Sequence, residues 1–329
     1  MILVTGNAGF IGGYLTPALV KRGQKVRGID LRPLRYPDDV VNHTQGNILD
    51  KASVLKAMDG VECIIHLAAE HKDFGIDREQ YYRVNVDGTK MLLQTAAELK
   101  IKRFMFLSSV AVYGASQPST DDTAPNPNND YGASKLKAEE AIRAWANEDP
   151  SREVVILRPT VVFGPRNRAN IFRLLRQVCD KQFIWVGDGS NIKSVAYVEN
   201  VVDAAILLLE KMTPGVLTLN YSDRPQLTTK EIVDIIARKA GVSVPGKRIP
   251  LSLALPAARI FDIVGKVTRL DLPITSARIL KFNTPTCHHA EKITAMGFSP
   301  RFSIEEGLEK NVRWYLSHKG DLDQHDTLD

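Results

Sequence analysis

Residues 1–30 read MILVTGNAGFIGGYLTPALVKRGQKVRGID, which predicts a strand, a glycine-rich turn, a helix and a second strand in succession. The apolar residues 1–5 run directly into a turn that contains Gly6, Gly9 and Gly12. The residues up to Arg22 have the apolar spacing of a helix, which Gly23 ends. This order of elements is the one that a dinucleotide-binding βαβ unit requires.

The glycines and Asp30 indicate the ligand of this unit. Glycine lets the backbone turn tightly and approach a pyrophosphate, which then sits at the positive N-terminus of the helix. Asp30 lies 18 residues after Gly12, where a carboxylate accepts hydrogen bonds from the adenosine ribose. Because such a carboxylate repels a 2′-phosphate, the sequence predicts NAD in preference to NADP. Arg32 weakens this preference, although we interpret it as a solvated surface arginine.

The first half of the chain continues the alternation of strands and helices. Strands are predicted at residues 2–5, 25–30, 43–46, 61–67, 103–108 and 153–157. This pattern is typical of an α/β protein with a doubly wound parallel sheet, the Rossmann arrangement. The strand at 61–67 is apolar almost throughout, as in strands that are buried on both faces. His66 within it is interpreted as a core histidine.

The second half of the chain predicts a smaller C-terminal substrate domain, because prolines and glycines become frequent after residue 158. We place the Rossmann domain at residues 1–165, with 192–212 returning to it, and the substrate domain at 166–191 and 213–318. Residues 319–329 are expected to form a flexible tail. The apolar stretch 249–265 would suit a membrane or a lipid-like substrate, but its interruption by Pro256, Arg259 and Asp262 favours a packed helix.

Residues 103–135 carry the side chains that indicate chemistry. An apolar run ends in Ser108 and Ser109, Tyr131 follows 22 residues after Ser109, and Lys135 comes four residues later. On a helix, Tyr131 and Lys135 project from one face. A phenol has a reference pKa near ~10, so a neighbouring ammonium is needed to favour its ionised form at neutral pH. With Ser109 hydrogen-bonding the same substrate oxygen, these residues predict a proton-transfer group for an alcohol/carbonyl pair.

Composition and charge restrict the possible ligands, metal sites and cellular location of the protein. The 43 Lys and Arg residues are scattered among 38 Asp and Glu, and the net charge of +5 indicates anionic ligands and not nucleic acid. The three cysteines have no metal-ligand spacing, and the adjacent His288 and His289 face different directions, so no metal site is predicted. We find no signal peptide and no membrane-spanning window of ~18 to 20 apolar residues, so a cytoplasmic protein is expected.

With these motifs in order, the sequence resembles the extended short-chain dehydrogenase/reductase family from Met1 to about Trp314. The matching motifs are G-x-x-G-x-x-G at 6–12, S-S-x-x-V-Y-G at 108–114 and Y-x-x-x-K at 131–135. Within that family it looks most like the nucleotide-sugar epimerases and reductases of polysaccharide synthesis. The resemblance implies NAD in the Rossmann domain, a nucleotide-diphosphate sugar in the second domain and C4 chemistry between them. We also expect a homodimer.

The resemblance implies roles for individual residues. Tyr131 would be the acid/base, Lys135 would lower its pKa and hold the nicotinamide ribose, and Ser109 would bind the substrate hydroxyl. Asn170 and Lys193 would contact the substrate diphosphate. The cofactor would be bound by Gly6, Gly9, Phe10, Ile11, Gly12, Asp30, Asn47, Ile48, Leu67, Ala68, Ala69, Asn85, Ser108, Tyr131, Lys135 and Pro159.

Departures from the family pattern leave alternatives open. Val110 and Ala111 stand where the 4,6-dehydratases have an Asp-Glu pair. Val161 replaces an asparagine of UDP-galactose epimerases, and Lys193 replaces an arginine. The leading hypothesis is an epimerase that keeps NAD bound. The alternatives are a 4-ketosugar reductase that uses external NAD(P)H, a hydroxysteroid or isoprenoid dehydrogenase, and a non-catalytic NAD-binding sensor, against which the intact tyrosine and lysine argue.

Overall fold

Seven parallel strands form the central sheet of the computed structural model, which describes residues 1–34, 42–71, 75–115, 117–268 and 275–320. In chain order the described strands are β1 Ile2–Thr5, β2 Val26–Asp30, β3 Asn42–Gln45, β4 Cys63–His66, β5 Arg103–Leu107, β6 Glu153–Pro159, β7 Val161–Phe163, β8 Trp185–Val186, β9 Ile192–Lys193, β10 Val195–Tyr197, β11 Gly215–Tyr221, β12 Leu227–Thr228 and β13 Arg248–Ile249. The described helices are α1 Gly12–Lys21, α2 Lys51–Met58, α3 Arg78–Tyr82, α4 Gly88–Glu98, α5 Asp130–Asn147, α6 Asn170–Cys179, α7 Val198–Glu210, α8 Thr229–Ala240, α9 Leu251–Thr268, α10 Ser276–Asn283, α11 Glu291–Ala295 and α12 Ile304–His318. A π-helical turn spans Arg83–Asp87, and a 3-10 turn spans Val110–Tyr113.

The strand order of the central sheet is β11-β6-β5-β4-β1-β2-β3. The order reverses at β1, which pairs with β4 on one side and β2 on the other, in parallel in both cases. This topology confirms the predicted doubly wound parallel sheet. In such sheets the ligand crevice lies outside the carboxyl ends of the strands at the point of reversal, here β1 and β4.

The central strands form because they bury apolar side chains on both faces. In β1, Ile2 and Val4 pack on one face with side chains of α1 and α7, whereas Leu3 packs on the other with α2, α4 and α5. A strand covered on both faces reads as a continuous apolar run, which explains its clear signal in the sequence. The sheet is therefore the middle layer between two layers of helices.

One strand lies where the sequence-based domain boundaries did not place it. Strand β11 pairs in parallel with β6 at the edge of the central sheet, although residues 213–318 were assigned to the substrate domain. The physical reason is the course of the chain before it. Helix α7 packs into the same cluster as α1, on one face of the sheet, and so returns the chain to the sheet edge. The other domain boundaries stay a prediction.

The second region has its own apolar cluster, built from α6, α8 and α12 with residues such as Leu175, Ile236 and Leu308. Helix α9 lies beside α10, and its Ala254 and Ala258 are buried with Ile279. No helix in the described ranges is long and apolar enough to cross a membrane. Residues 321–329 of the predicted tail lie outside the described residues.

Candidate active site

The glycine-rich turn between β1 and α1 is packed too closely for side chains. Gly6 has φ +71°, and a Cβ at this position would lie 2.7 Å from the amide nitrogen of Ala68. A Cβ at Gly12 would lie 2.2 Å from the carbonyl oxygen of Gly6, and the Gly9 amide donates to that oxygen at 3.0 Å. The turn thus presents backbone at the N-terminus of α1, which is the cradle that a pyrophosphate requires.

Phe10 and Ile11 attach this turn to the core. The ring of Phe10 meets that of Tyr14 edge to face, with centroids 5.8 Å apart. Ile11 packs against both the sheet cluster and the cluster of the second region. The Tyr14 hydroxyl donates to the carbonyl oxygen of Pro165 at 3.0 Å, so α1 is tied to the chain that follows β7.

Asp30 ends β2 beside the glycine turn. Its carboxylate accepts hydrogen bonds from the backbone amides of Ala8 at 3.1 Å and Arg32 at 3.0 Å. Arg32 was interpreted as a solvated surface residue, but its Nε lies 3.6 Å from the Asp30 carboxylate and its guanidinium borders Gly9. Both charges therefore stand at the edge of the predicted ribose site.

The segment after β4 forms the opposite wall of the crevice. The Thr5 hydroxyl accepts hydrogen bonds from the amides of Leu67 and Ala68, each at 3.2 Å. Ala69 follows in the same segment. His66 is fully buried, with its ring nitrogens 2.7 Å from the Thr5 hydroxyl and 3.0 Å from that of Thr89. Burial, with a smaller effect of the Lys135 charge, lowers the pKa of His66 to about 3. His66 is thus a neutral core residue, as predicted.

Three further residues that were predicted to bind the cofactor have structural contacts here. Asn47 Oδ1 accepts from the Leu49 amide at 3.0 Å, and Ile48 is buried against Gly88. Asn85 lies in the π-helical turn inside the segment 81–99. Its amide group donates to the Glu70 carbonyl and accepts from the Glu70 amide, at 3.0 and 2.7 Å. The same nitrogen donates to Ser134 of α5 at 2.9 Å, which joins the crevice wall to that helix.

Ser109 starts the 3-10 turn that follows β5. Its hydroxyl accepts from the Ala111 amide at 3.1 Å and so caps this turn. The start of α5 packs directly on the turn, because a Cβ at Gly132 would lie 2.3 Å from the Ala111 carbonyl oxygen. Asn129 caps α5 by accepting from the Gly132 amide at 2.8 Å. Ser109 and the beginning of α5 are thereby held together.

Tyr131 and Lys135 occupy the first turns of α5, the helix that the sequence predicted. The Tyr131 ring is half-buried, with its centroid 6.2 Å from that of Tyr81. The Lys135 ammonium donates to the Leu107 carbonyl at 2.6 Å and lies 4.2 Å from the ring centroid of Phe106. Burial lowers the pKa of Lys135 to about 7, and the nearby Glu139 charge acts in the opposite direction. The lysine is therefore anchored at the end of β5, two residues before Ser109.

A buried polar network lies beneath these residues. Glu139 of α5 accepts from Ser108 and from Arg158 of β6, whose Nε lies 2.9 Å from Glu139 Oε1. Burial disfavours charge on Arg158, but the hydrogen bonds and charge of Glu139 outweigh it and raise the pKa of Arg158. Arg158 also donates to the Tyr113 hydroxyl at 2.8 Å, and this hydroxyl donates to Asn220 of β11 at 2.7 Å. The network joins α5 to three positions of the sheet.

The network continues through Asp121 into the last third of the chain. One carboxylate oxygen of Asp121 accepts from the Asn220 amide at 2.5 Å. The other accepts from the amides of Glu291 and Lys292, both at 2.9 Å. The loop between Ser109 and Tyr131 is therefore fastened to both β11 and α11.

Sequence reasoning identified Ser108 but not its partners. Ser108 was predicted to contact the cofactor, and in the structure it is buried with its hydroxyl on Glu139. Pro159 ends β6 in register with Tyr221. Glu139 stands four residues after Lys135, so its place on the same helix face was the available signal for it. For Gly132, the available signal was its position directly after Tyr131.

The two residues predicted to bind the substrate diphosphate lie on α6 and β9. Asn170 begins α6 and is half-buried. The Lys193 ammonium donates to the carbonyl oxygens of Lys281 and Thr284, at 2.7 and 2.5 Å. Burial and the Lys281 charge lower the pKa of Lys193 to about 8. Lys193 thus ties β9 to the C-terminal end of α10, whose exposed carbonyls attract a cation.

An open cavity of about 880 Å³ adjoins Lys193. Its lining combines the loop before β9, the residues around β13 and the start of α9, and the segment after α10. The lining residues are Gly187, Asp188, Ser190, Asn191, Ile192, Arg248, Ile249, Pro250, Leu251, Asn283, Pro285 and Cys287. In the described part of the chain, no cluster of three or more His, Cys, Asp or Glu side chains is arranged to hold a metal ion.

Comparisons with known proteins agree with this architecture. The profile of the NAD-dependent epimerase/dehydratase family matches residues 2–220. The chain is 33% identical over 319 residues to N-acetyl-alpha-D-glucosaminyl-diphospho-ditrans,octacis-undecaprenol 4-epimerase of Escherichia coli O157:H7, covering 96% of each protein. It is 26% identical over 326 residues to UDP-glucose 4-epimerase of Vibrio cholerae, covering 96% of this chain and 95% of that protein. The structure of MoeE5 in complex with UDP-glucose and NAD is similar to it with a TM-score of 0.78 at 26% identity, over 97% of this chain and 99% of that one.

Proposed function

Because the chain belongs to the NAD-dependent epimerase/dehydratase family, we propose that it is an NAD-dependent 4-epimerase of a sugar carried on a diphosphate, acting through a transient 4-ketosugar. The observation that carries this proposal is the arrangement of Tyr131 and Lys135 on α5 beside Ser109 at the carboxyl end of β5. These residues border the crevice whose opposite side is the glycine turn. The relatives that are named as 4-epimerases support the same reaction.

The residues around the crevice fit NAD, the predicted cofactor. The turn at Gly6 and Gly12 leaves room for backbone only, which suits a pyrophosphate, and Asp30 ends β2 where a ribose would lie. When bound there, NAD would take a hydride from the sugar carbon and later return it. The family is NAD-dependent, and a solved relative binds NAD according to its description.

Side chains of this chain would carry out the proton transfer. Tyr131 would accept the proton of the sugar 4-hydroxyl and return it after the 4-ketosugar has turned to present its other face. Lys135, anchored on the Leu107 carbonyl, would supply the positive charge that favours the phenolate. Ser109 would donate a hydrogen bond to the same sugar oxygen and hold it for the proton transfer.

For the diphosphate, Lys193 and Asn170 are the proposed contacts. Lys193 is half-buried between β9 and α10 and directly follows Ile192 of the open cavity. The sugar would then extend from Lys193 towards Ser109 and Tyr131, and the group on the other side of the diphosphate would enter the cavity. That group is a nucleoside in the UDP-sugar relatives and a polyprenol in the Escherichia coli relative, according to their names.

A homodimer in the cytoplasm completes the proposal. Mass determination by light scattering on the purified protein tests the dimer, and fractionation of cell extracts tests the location. A monomer at micromolar concentration would contradict the first of these expectations.

The central experiment incubates purified enzyme with UDP-glucose, UDP-N-acetylglucosamine and a short polyprenyl-diphosphate N-acetylglucosamine, with no cofactor added. We expect interconversion of the 4-epimers of at least one substrate, with no lasting absorbance of reduced nicotinamide, and a rate about 10²- to 10⁴-fold lower with Tyr131→Phe. A requirement for stoichiometric NADH, NADPH or NAD⁺ would contradict the epimerase and support the reductase or dehydrogenase alternative.

A further inference from the structure

Exposed apolar side chains are concentrated around the open cavity. Among the described residues, nine large apolar side chains are exposed, and five of them lie on β8, β9, β13, α9 and α10 or directly beside these elements. These five are Ile184, Ile192, Ile249, Leu253 and Leu280. Single exposed apolar residues are ordinary, but such a concentration marks a surface that binds something apolar.

Among the side chains of helix α9 that the structure describes, the exposed ones are mostly apolar, with Ser252 and Arg259 as the polar members. Ala254 and Ala258 face the protein, where they pack with Ile279. On the outer side Leu253 is 66% exposed, and Pro256 and Ala257 are exposed at the i+3 and i+4 positions. A helix at the surface of a water-facing domain carries polar residues on its outer side. We call Ile249, Leu253, Pro256, Ala257 and Leu280 the α9 surface.

Three polar side chains of the cavity make hydrogen bonds within the protein. Asn191 Nδ2 donates to the Phe282 carbonyl at 3.0 Å, and Asn283 Nδ2 donates to the Ile279 carbonyl at 2.9 Å. The Ser190 hydroxyl donates to Asp188 at 2.8 Å. The lining also contains Ile192, Ile249, Pro250 and Leu251, which suit an apolar chain because such a chain needs no hydrogen bonds.

Basic side chains border the α9 surface. Lys247, Arg248, Arg259 and Lys281 are all exposed in the segments that carry it. Acidic groups that the structure describes in the same region include Asp188, in the cavity, and Asp262, which accepts hydrogen bonds from Ser276. Apolar side chains with a cationic border are the features of a helix that lies in the interface of an anionic bilayer.

We propose that the α9 surface docks on an anionic membrane and that the diphosphate of the substrate links its sugar to a polyprenyl chain, which leaves the bilayer along Ile249 and Ile192. This inference rests on the proposed epimerase function and specifies its substrate class. The sugar and diphosphate would reach Lys193 and the catalytic residues from the membrane side, while the Rossmann sheet stays in water.

Vesicle binding tests the surface without requiring turnover. We expect the full chain to sediment with vesicles of phosphatidylglycerol and phosphatidylcholine, more weakly as salt is raised and as phosphatidylglycerol is omitted. The double variant Leu253→Glu/Leu280→Glu should bind at least tenfold more weakly. Leu99→Glu is the matched control, because Leu99 is 42% exposed at the end of α4, and it should bind like the unchanged protein.

Activity measurements distinguish this inference from the proposed epimerase function on which it rests. We expect the double variant to lose at least tenfold in turnover of a polyprenyl-diphosphate sugar in vesicles, while its turnover of a short, water-soluble prenyl-diphosphate sugar is unchanged. An enzyme that epimerises UDP-sugars but neither binds vesicles nor accepts prenyl-diphosphate sugars would overturn the inference and leave the epimerase intact. A double variant that changes from dimer to monomer while vesicle binding persists would also overturn it, since the surface would then join two copies of the chain.

Discussion

A Cβ on Gly132 would lie 2.3 Å from the carbonyl oxygen of Ala111, so the backbones of helix α5 and of the turn after β5 are in direct contact. This contact sets the distance between Tyr131, which precedes Gly132, and Ser109, which caps the turn. We therefore expect Gly132→Ala to push α5 away and lower kcat by about 10²-fold, the usual result of a displacement near 1 Å in an active site.

The control for this prediction is Ala133→Gly at the next position of the same helix. Glycine lowers helix stability by roughly 1 kcal/mol without adding an atom. Steady-state kinetics and urea unfolding of both variants separate geometry from stability. If Ala133→Gly lost as much activity as Gly132→Ala, the close contact would not be the cause.

Tyr131→Phe removes only the hydroxyl that transfers the proton. We expect kcat to fall by about 10² to 10⁴, the usual contribution of general acid/base catalysis, with NAD binding retained. Tyr82→Phe, on helix α3, should keep kcat near that of the unchanged enzyme. Comparable activity of Tyr131→Phe and the unchanged enzyme would mean that another group transfers the proton.

Asp30 should determine the choice of cofactor. Asp30→Ala removes a charged acceptor for the ribose hydroxyls, so NAD⁺ affinity should fall roughly 10- to 150-fold, the equivalent of about 1.5 to 3 kcal/mol. NADP⁺ should gain relative to NAD⁺, because the repulsion of its phosphate is removed while Arg32 remains. Calorimetric titrations of stripped protein measure both, with the exposed Asp59→Ala as control. Tighter binding of NADP⁺ by the unchanged protein would refute the predicted preference.

The buried pair of Glu139 and Arg158 should matter for stability. Glu139→Gln keeps the shape of the side chain but leaves the Arg158 charge unpaired in the interior, which costs about 3 to 5 kcal/mol. The double variant Glu139→Gln/Arg158→Met should recover part of this loss. Urea unfolding measures each free energy, and Glu140→Gln at the exposed neighbouring position should leave it unchanged. A stable Glu139→Gln protein would show that water reaches the pair.

His66 should make the protein less stable in acid. Its pKa is about 3 in the folded chain against a reference of 6.5, so between these values the unfolded chain binds a proton that the folded chain does not. Stability is therefore lost as pH falls from 6.5, by up to about 1.4 kcal/mol per pH unit. Burial also lowers the pKa of His288 to about 4, which adds to this loss, whereas burial raises that of Asp223 to about 6, which opposes it.

His66→Gln isolates the contribution of His66, because His288 and Asp223 are present in both proteins. The variant should be less stable at pH 7, since the bonds to Thr5 and Thr89 are altered, but its stability should fall less steeply between pH 6 and 4.5. Urea unfolding at four pH values in this range measures the two slopes. Parallel slopes would contradict a neutral, buried His66.

Elements with a strong local signal were predictable from the sequence. The strand at 2–5 has an apolar run, the glycine turn has residues that permit positive φ, and the Y-x-x-x-K helix has a fixed spacing. The structure places all three as expected. Strand β11 was assigned to the second domain because its partner β6 is distant in the chain, and no local pattern states which strands pair. The central sheet was thus predictable except at its β11 edge.

The candidate site was predictable only where the chemical type and the spacing of side chains indicate what they do. Tyr131 and Lys135 have a recognisable spacing, but the partner of Lys193 is backbone of α10, and backbone acceptors leave no mark in the sequence. The π-helical turn at Arg83–Asp87 carries Asn85, whose bonds to Glu70 and Ser134 join segments that are distant in the sequence. Contacts of this kind exist only after the chain has folded.

The bonds of Asp121 have a consequence for synthesis on the ribosome. The loop between Ser109 and Tyr131 is fastened by the amides of Glu291 and Lys292, the latter 171 residues downstream of Asp121. At about 5 to 20 residues per second, translation needs roughly 9 to 34 s to reach Lys292 after Asp121. A nascent chain that already carries every catalytic motif therefore holds that loop only through the Asn220 amide until its last third is made, and a chain that ended after residue 220 would lack the bonds from Glu291 and Lys292.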